Sequence, residues 1–509
     1  MRFKPSETLG HLFASKAKPA TNAGDDKDSK PEASPASEVS TEEPPVVLNT
    51  QSLLELEQTQ ITLSEQSRTI MRLGHALQAC GASAYRIKIS MARLATALGA
   101  DEHNVQVTFG EISSTVYLPP YSRTAVLEQR AFGTNAAKLD RLRNFVQNLK
   151  PGTTIAAANA AMDRIDSYPL EYGKLVNALA SGIACACFCF LNRGGLVECL
   201  LAGLAAGLGQ FMRKLMMTRK FNHFAVWLVA GFAGATFYII FATLLELILH
   251  QCMSTGDLSA LPIWLRGDSI GLRSGIVSAV LFLVPGFPLI TSMLDLVRMD
   301  LSAGIPRFVY TLMLVVSAGV AVWLVSVVFD WAVDPPAQPP IHGVWLFVVR
   351  AICSFIASTG FAMLFNCTWR LSIYAGLICG VVNPLRFLAV DNGVTWQLAV
   401  GLEALAIGLL ADVISRAANF RYSRVSLSVP AAVLMVPGVP LYAALTHLND
   451  GDYSQAFISL TEVSVVILAI GIGLASARML TDRNWLQDRV LKGNHPVLNP
   501  DTRSDYSMR

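Results

Sequence analysis

Two short segments carry the residues best suited to hold a solute. Val284-Pro-Gly-Phe-Pro-Leu289 and Val436-Pro-Gly-Val-Pro-Leu441 each lie inside a long apolar run. In each, two prolines three residues apart (Pro285 and Pro288, Pro437 and Pro440) delete helical N–H groups and crowd the preceding turn, so neither run can be one unbroken helix. In lipid, freed carbonyls before such a break and free N–H groups after it are tolerated only where they line a cavity or meet a ligand. Facing helix ends would suit a zwitterion, whose carboxylate takes N–H donors and whose ammonium takes carbonyls. Gly286 and Gly438 let backbone approach the solute closely, and Thr291 and Tyr442, one turn on, offer hydroxyls. Asn383-Pro384 interrupts another apolar run and joins the substrate-binding candidates. The competing reading of these prolines is a kink that serves packing alone.

Ionisable groups inside apolar runs form the second set. Asp295, Glu403, Asp412 and Glu462 are the candidates for proton or ion coupling, and Glu246 ends another run. Glu403 lies deepest, about eight residues into its run at ~1.5 Å per residue. A carboxylate there is costly unless it works, and a partly desolvated one would carry protons. Asp295, Asp412, Glu246 and Glu462 stand close enough to run ends that an interfacial place is the alternative reading.

The elements that must hold these residues follow from composition. The chain has 509 residues, 52% apolar and only 15% charged, with a mean hydropathy of +0.44 and a net charge of +3. That excludes a disordered chain and the basic balance of a nucleic-acid binder. Residues 1–50, rich in Ala, Ser, Pro, Glu, Asp and Lys, read as a disordered tail without a signal peptide. Residues 51–170 read as a small cytoplasmic α/β domain. Its helices are expected over 63–79, 83–98, 136–149 and 153–167, and its strands over 105–109 and 113–118. Ten spans follow, near 174–191, 196–212, 224–249, 271–297, 303–330, 344–366, 371–390, 395–415, 425–447 and 456–478. Residues 334–343 form a Pro-rich connector between a first membrane repeat (174–333) and a second (344–480), and 481–509 form a cytoplasmic tail. Nine cysteines, including Cys185, Cys187 and Cys189, read as small packing residues of membrane helices, because thiols two apart on a helix face away from each other.

The two Val-Pro-Gly-x-Pro-Leu segments are 152 residues apart, and the same offset joins Asp300 to Asp452. The membrane part therefore reads as a duplication. Arg213, Lys214, Arg219, Lys220, Arg298, Arg307, Arg416 and Arg424 fall in loops on one side, against Arg193, Arg266 and Arg386 on the other. The positive-inside rule then puts both termini in the cytoplasm. Five spans per copy make the copies run in opposite senses. The fold expected is a membrane all-α protein of about ten transmembrane helices, an inverted 5+5 repeat, with the small α/β domain in front.

Gly81-Ala-Ser-Ala-Tyr-Arg86, Met91-Ala-Arg-Leu-Ala-Thr-Ala-Leu-Gly99, the paired Pro-Gly-x-Pro segments, Asp295 and Gly304-Ile-Pro-Arg307 resemble the threonine/serine exporter family over roughly residues 65–480. The resemblance implies export of threonine and serine across the cytoplasmic (inner) membrane, driven by the proton gradient, with alternating access around the paired breaks. Lys88 departs from it, standing where an acidic residue is expected.

Partners on this reading are the small amino acid, protons and the bilayer, with no nucleic acid, no cofactor and no metal, and with a homo-oligomer left open. Two rivals stand beside it. One is a hydrolase or regulatory activity in the N-terminal domain, where His75, Arg86 and Glu111 are the polar candidates. No His-Glu-x-x-His, Gly-x-Ser-x-Gly or Walker sequence accompanies them. The other is a channel for a different small solute, which would lack uphill flux and exchange.

Overall fold

The computed structural model describes residues 50–130, 132–254, 272, 275–331, 341–418, 422–449, 451–482 and 485. The expected N-terminal tail, most of the Pro-rich connector and most of the C-terminal tail lie outside the described residues.

The N-terminal layer opens with α1 (Thr50–Ala79) and α2 (Ala84–Ala97). Helix α1 begins well before residue 63 because Glu, Gln and Leu are strong helix formers even where Leu53, Leu54 and Ile61 stay exposed. Strands β1 (Glu102–Val107), β2 (Glu111–Leu118) and β3 (Tyr121–Glu128) then form an antiparallel sheet in chain order, with Val107 opposite Ile112 and Leu118 opposite Tyr121. Ile112, Ser114 and Val116 alternate inward from β2 onto a core of Ile70, Leu73, Leu77 and Met91. The third strand has no counterpart in the sequence reading. It is an edge, mostly exposed, and its Ser122, Arg123 and Thr124 blur the alternation that reveals half-buried strands. Helices α3 (Ala136–Gln147) and α4 (Ile155–Asp166) complete the layer, each with a side-chain N-cap, Asn135 and Thr154.

Among the described residues, eight later helices are long and apolar enough to cross a membrane, or up to ten spans if each of two bent pairs counts as one. The first group holds α5 (Lys174–Leu191), α6 (Leu196–Thr218), α7 (His223–Ser254), the short α8 (Gly275–Ser278), α9 (Gly286–Val297) and α10 (Leu301–Val328). The second holds α11 (Gly343–Leu364), α12 (Trp369–Asp391), α13 (Trp396–Ala417), α14 (Arg424–Ala432), α15 (Gly438–Asn449) and α16 (Tyr453–Thr481). Packing follows one scheme in both: α5 on α6, α6 on α7, α7 on α10 and α10 on α9, then α11 on α12, α12 on α13, α13 on α16 and α16 on α15. Helices α5 and α11 join the groups.

Small residues set the closest approaches. A methyl group on Gly203 or Gly207 would come within 3.0 Å of the Gly182 carbonyl oxygen or 3.4 Å of that of Ala178. On Gly376 or Gly380 it would come within 2.8 Å of the Phe355 carbonyl oxygen or 3.3 Å of that of Ala351. Each of these four positions in the second group lies 173 residues after its partner in the first. Small-residue seams of this kind let membrane helices pack backbone to backbone.

Candidate functional site

Both proline pairs break their helices. A single 3-10 turn, Leu281–Leu283, leads into the first break and another, Val433–Met435, into the second, with bends of 66° and 43°. Their backbones match: the Gly286 N–H donates to the Val284 carbonyl and the Gly438 N–H to that of Val436, both at 2.9 Å. The breaks also pack on each other reciprocally. A Cβ on Gly286 would overlap Val433 Cγ2, and one on Gly438 would sit 2.6 Å from Leu281 Cδ2. Val433 follows Leu281 by 152 residues, the spacing of the glycines themselves. Gly286 and Gly438 thus make room for the opposite break. Asn383-Pro384, by contrast, does not interrupt its span: α12 runs on through Pro384, and its bundle neighbours hold the turn that loses an N–H.

A cavity of about 230 Å³ lies against the first break. Pro285, Pro288 and Thr291 form one side, Arg213 and Lys214 of α6 another, and Arg307 and Tyr310 of α10 a third. Gln78, Phe109 and Thr134 close it from the N-terminal layer. Among the described lining residues the charged ones are Arg213, Lys214 and Arg307, all cationic. Carbonyls freed by the break are already engaged, that of Leu283 by Trp227 Nε1 at 2.6 Å and that of Phe282 by Arg213 Nη1 at 3.3 Å. The Thr291 hydroxyl donates to the Phe287 carbonyl of its own helix at 3.0 Å. In the second break Pro437 is buried, Pro440 is half-buried, and the Tyr442 hydroxyl lies 3.1 Å from Ser326 Oγ.

The ionisable candidates divide. Asp295 is buried, ion-paired with Arg307 at 2.8 Å, and accepts the Ala84 N–H at 3.0 Å. Glu403 is buried against Arg386 at 2.6 Å. Asp412 is buried between Arg416, at 2.8 Å, and Arg424. Glu462 and Glu246 are exposed on their helices. Asn383 is buried, donates to Ser354 Oγ at 2.7 Å and accepts from Arg386 at 2.6 Å.

Two arginines escaped the sequence reading as site residues. Gly203-x3-Gly207-x2-Gln210-x2-Arg213 recurs as Gly376-x3-Gly380-x2-Asn383-x2-Arg386. The guanidinium of Arg213 lies over the Trp227 ring, 4.1 Å from its centroid, and that of Arg386 lies 4.5 Å from the centroid of Trp396. The signal was in the chain, at 173 residues rather than 152, so a search at one offset passes over it.

The N-terminal layer grips both groups. Lys88 pairs with Asp300 at 2.5 Å, and the Ala82 carbonyl accepts from Arg307 at 3.0 Å. An acidic residue at 88 would face Asp300 with like charge, so the lysine suits this seam. On the other group, Asp140 accepts the Ser423 N–H at 3.2 Å and the Ser426 hydroxyl at 3.0 Å. Burial pushes the Asp140 carboxyl up to about 6, against the pull of Arg143 and Arg86. The layer therefore meets the C-terminal end of the first broken span, at Asp295, and the N-terminal end of the second, at Ser423.

Two family models match the chain: "Putative threonine/serine exporter" over residues 68–329 and "Threonine/Serine exporter, ThrE" over residues 350–480. Among curated relatives, the "Probable succinate transporter subunit YjjP" of Escherichia coli K12 is 25% identical over 270 residues, covering 51% of this chain and 94% of that protein. The protein of the same name in Klebsiella aerogenes is 23% identical over 249 residues, covering 48% of this chain and 85% of its own length. No solved structure matches. With its first group and N-terminal layer matched by one model and its second group by the other, the chain belongs to the threonine/serine exporter family of membrane transporters.

Proposed function

We propose that this protein is a secondary transporter that exports small carboxylate-bearing solutes, threonine and serine first among them, across the cytoplasmic membrane. The observation that carries this reading is the cation-lined cavity against a broken span, closed on one side by the N-terminal layer. In this reading the two helix groups are inverted copies that rock about their crossed breaks, exposing the solute alternately to each side. Opposite ends of the two broken spans meeting one layer support the inversion. Both termini lie in the cytoplasm, as the loop arginines and lysines favour. Proton entry supplies the driving force, with Glu403, Asp295 and Asp412 as the buried carboxylates available to carry it. Protonating any of them would release an arginine, which makes the ion pairs natural switch points.

A dicarboxylate is the second reading, favoured by a lining of three cations without a carboxylate among the described lining residues. An ammonium group finds no negative partner there. The name of the relatives points the same way. Counterflow in proteoliposomes tests the function: vesicles preloaded with unlabelled serine, threonine or succinate are offered the labelled solute, with and without a pH gradient. Transient accumulation above equilibrium is expected for a carrier. Simple equilibration would mark a channel, and a flux indifferent to the pH gradient would remove proton coupling.

A further inference from the structure

The chain contains its own comparison for Arg213. Helices α6 and α12 place Gly203 with Gly376, Gly207 with Gly380, Gln210 with Asn383 and Arg213 with Arg386, and their close approaches fall on matching carbonyls of α5 and α11. Each arginine is held from below by the amide oxygen three residues earlier, Gln210 Oε1 at 3.2 Å and Asn383 Oδ1 at 2.6 Å. Each lies against a tryptophan of the next helix. The two environments diverge on the remaining side. Arg386 meets Glu403 of α13; at the same 173-residue offset α7 carries Ala230. The first group thus lacks the carboxylate that the second supplies to itself. Arg213 spends Nη1 on Gln210 and on the Phe282 carbonyl, and among the described residues its Nε and Nη2 make no hydrogen bond. It lines the cavity instead.

We infer that Arg213 is the anchor for a carboxylate of the transported solute, and that Glu403 on Arg386 is a built-in image of that bound state. The inference rests on the transport reading and says which residue of the cavity grips the cargo. A guanidinium with two free donors in one plane suits a carboxylate, and an ammonium in its place would offer charge without the fork. Lys214, beside it on the wall, adds a second positive charge, whereas Arg307 is already neutralised by Asp295. A solute with two carboxylates satisfies Arg213 and Lys214 together; a zwitterion satisfies one and brings its ammonium into a cationic lining.

The test uses the full chain in liposomes, with labelled succinate and labelled serine as probes, and the variants Arg213→Lys and Arg213→Gln. Both variants are expected to raise the half-saturating succinate concentration at least about tenfold, roughly the ~1.4 kcal/mol of one charge-assisted contact. Serine, whose single carboxylate meets Arg213, is expected to lose affinity on substitution at least as steeply as succinate, which keeps Lys214. Arg213→Lys keeps the charge and should insert normally even if Arg213→Gln does not. Unchanged succinate affinity in inserted Arg213→Lys protein overturns the inference. Wild type that carries neither probe in counterflow sinks the transport reading instead. The anchor is then judged by succinate quenching of Trp fluorescence in purified full-length protein: loss of quenching in Arg213→Lys supports it, and equal quenching rejects it.

Discussion

On α6, Arg213 reaches into a cavity; on α12, the matched Arg386 reaches a carboxylate of its own chain. The glycine seams and the supporting amide beneath the two arginines are alike, and a tryptophan of the next helix lies against each. The difference comes from Ala230 standing, at the same 173-residue offset, where the second group has Glu403, and it goes with a sharper bend at the first break, 66° against 43°. On the proposed reading the two helix groups divide the labour. In that reading the first group leaves a cation for the cargo to neutralise, while the second pairs its matched cation with its own carboxylate. A guanidinium without a counter-ion is costly to bury, and Arg213 stays half-buried at the cavity wall.

The largest break in this comparison would come at the crossing of the two copies. Gly286→Leu is expected to abolish counterflow in protein that still inserts, because its Cβ would collide with Val433, a β-branched side chain with little room to turn. Gly438→Leu should cost less flux. Its nearest neighbour is Leu281 Cδ2, the free end of a longer side chain. Equal losses in the two variants would remove the asymmetry from the breaks, and normal flux in both would remove the breaks from the transport path. Next in size is Glu403→Gln, which strips the second group of this carboxylate charge and leaves Arg386 buried without a counter-ion. Thermal denaturation in detergent should report a loss of about 3 kcal/mol. Replacing Arg386 with Gln in the same chain should recover part of it, since the unpaired charge then goes too. A double variant no more stable than Glu403→Gln would show that the pair does not act as a unit.

Much of this frame was legible in the chain. Apolar runs long enough for a bilayer, the paired prolines and the 152-residue offset marked the membrane helices and the two breaks, because hydropathy and missing N–H groups act locally. The partners of the carboxylates were not legible. Asp295 meets Arg307 and Asp412 meets Arg424 through folds of the chain, and Glu403 meets Arg386 on the neighbouring helix. Arg386 sits beside a predicted loop, where a positive charge reads as a topology signal rather than as a buried partner. Arg213 was hidden for the same reason, and for another. Insertions between α6 and the first break change the repeat spacing from 173 to 152 residues, so no single offset aligns both motifs. Thr291 and Tyr442 show the reverse limit: the right residue types near the breaks, but with hydroxyls turned to their own helix or to Ser326.

The smallest effect lies where the N-terminal layer holds the second group. Asp140, packed against Arg86 and Arg143 of the layer and bonded to Ser423 and Ser426, has its carboxyl raised from 3.8 to about 6 by burial. An acid whose folded-state value is raised binds its proton more readily in the native protein than in the unfolded chain. Its contribution to stability is therefore lost as pH climbs through that interval and regained on acidification. Acidifying from about pH 7 to about pH 5 should stabilise the protein by about 1 kcal/mol through this group alone. Asp140→Asn should flatten that slope while keeping an acceptor for Ser423, and thermal melts of the two proteins across the interval measure the difference. On the first group the layer is held by Lys88 on Asp300 and by the Ala84 N–H on Asp295. A parallel slope in Asp140→Asn would assign the acid response to those contacts, and the grip on the second group would then be indifferent to protons.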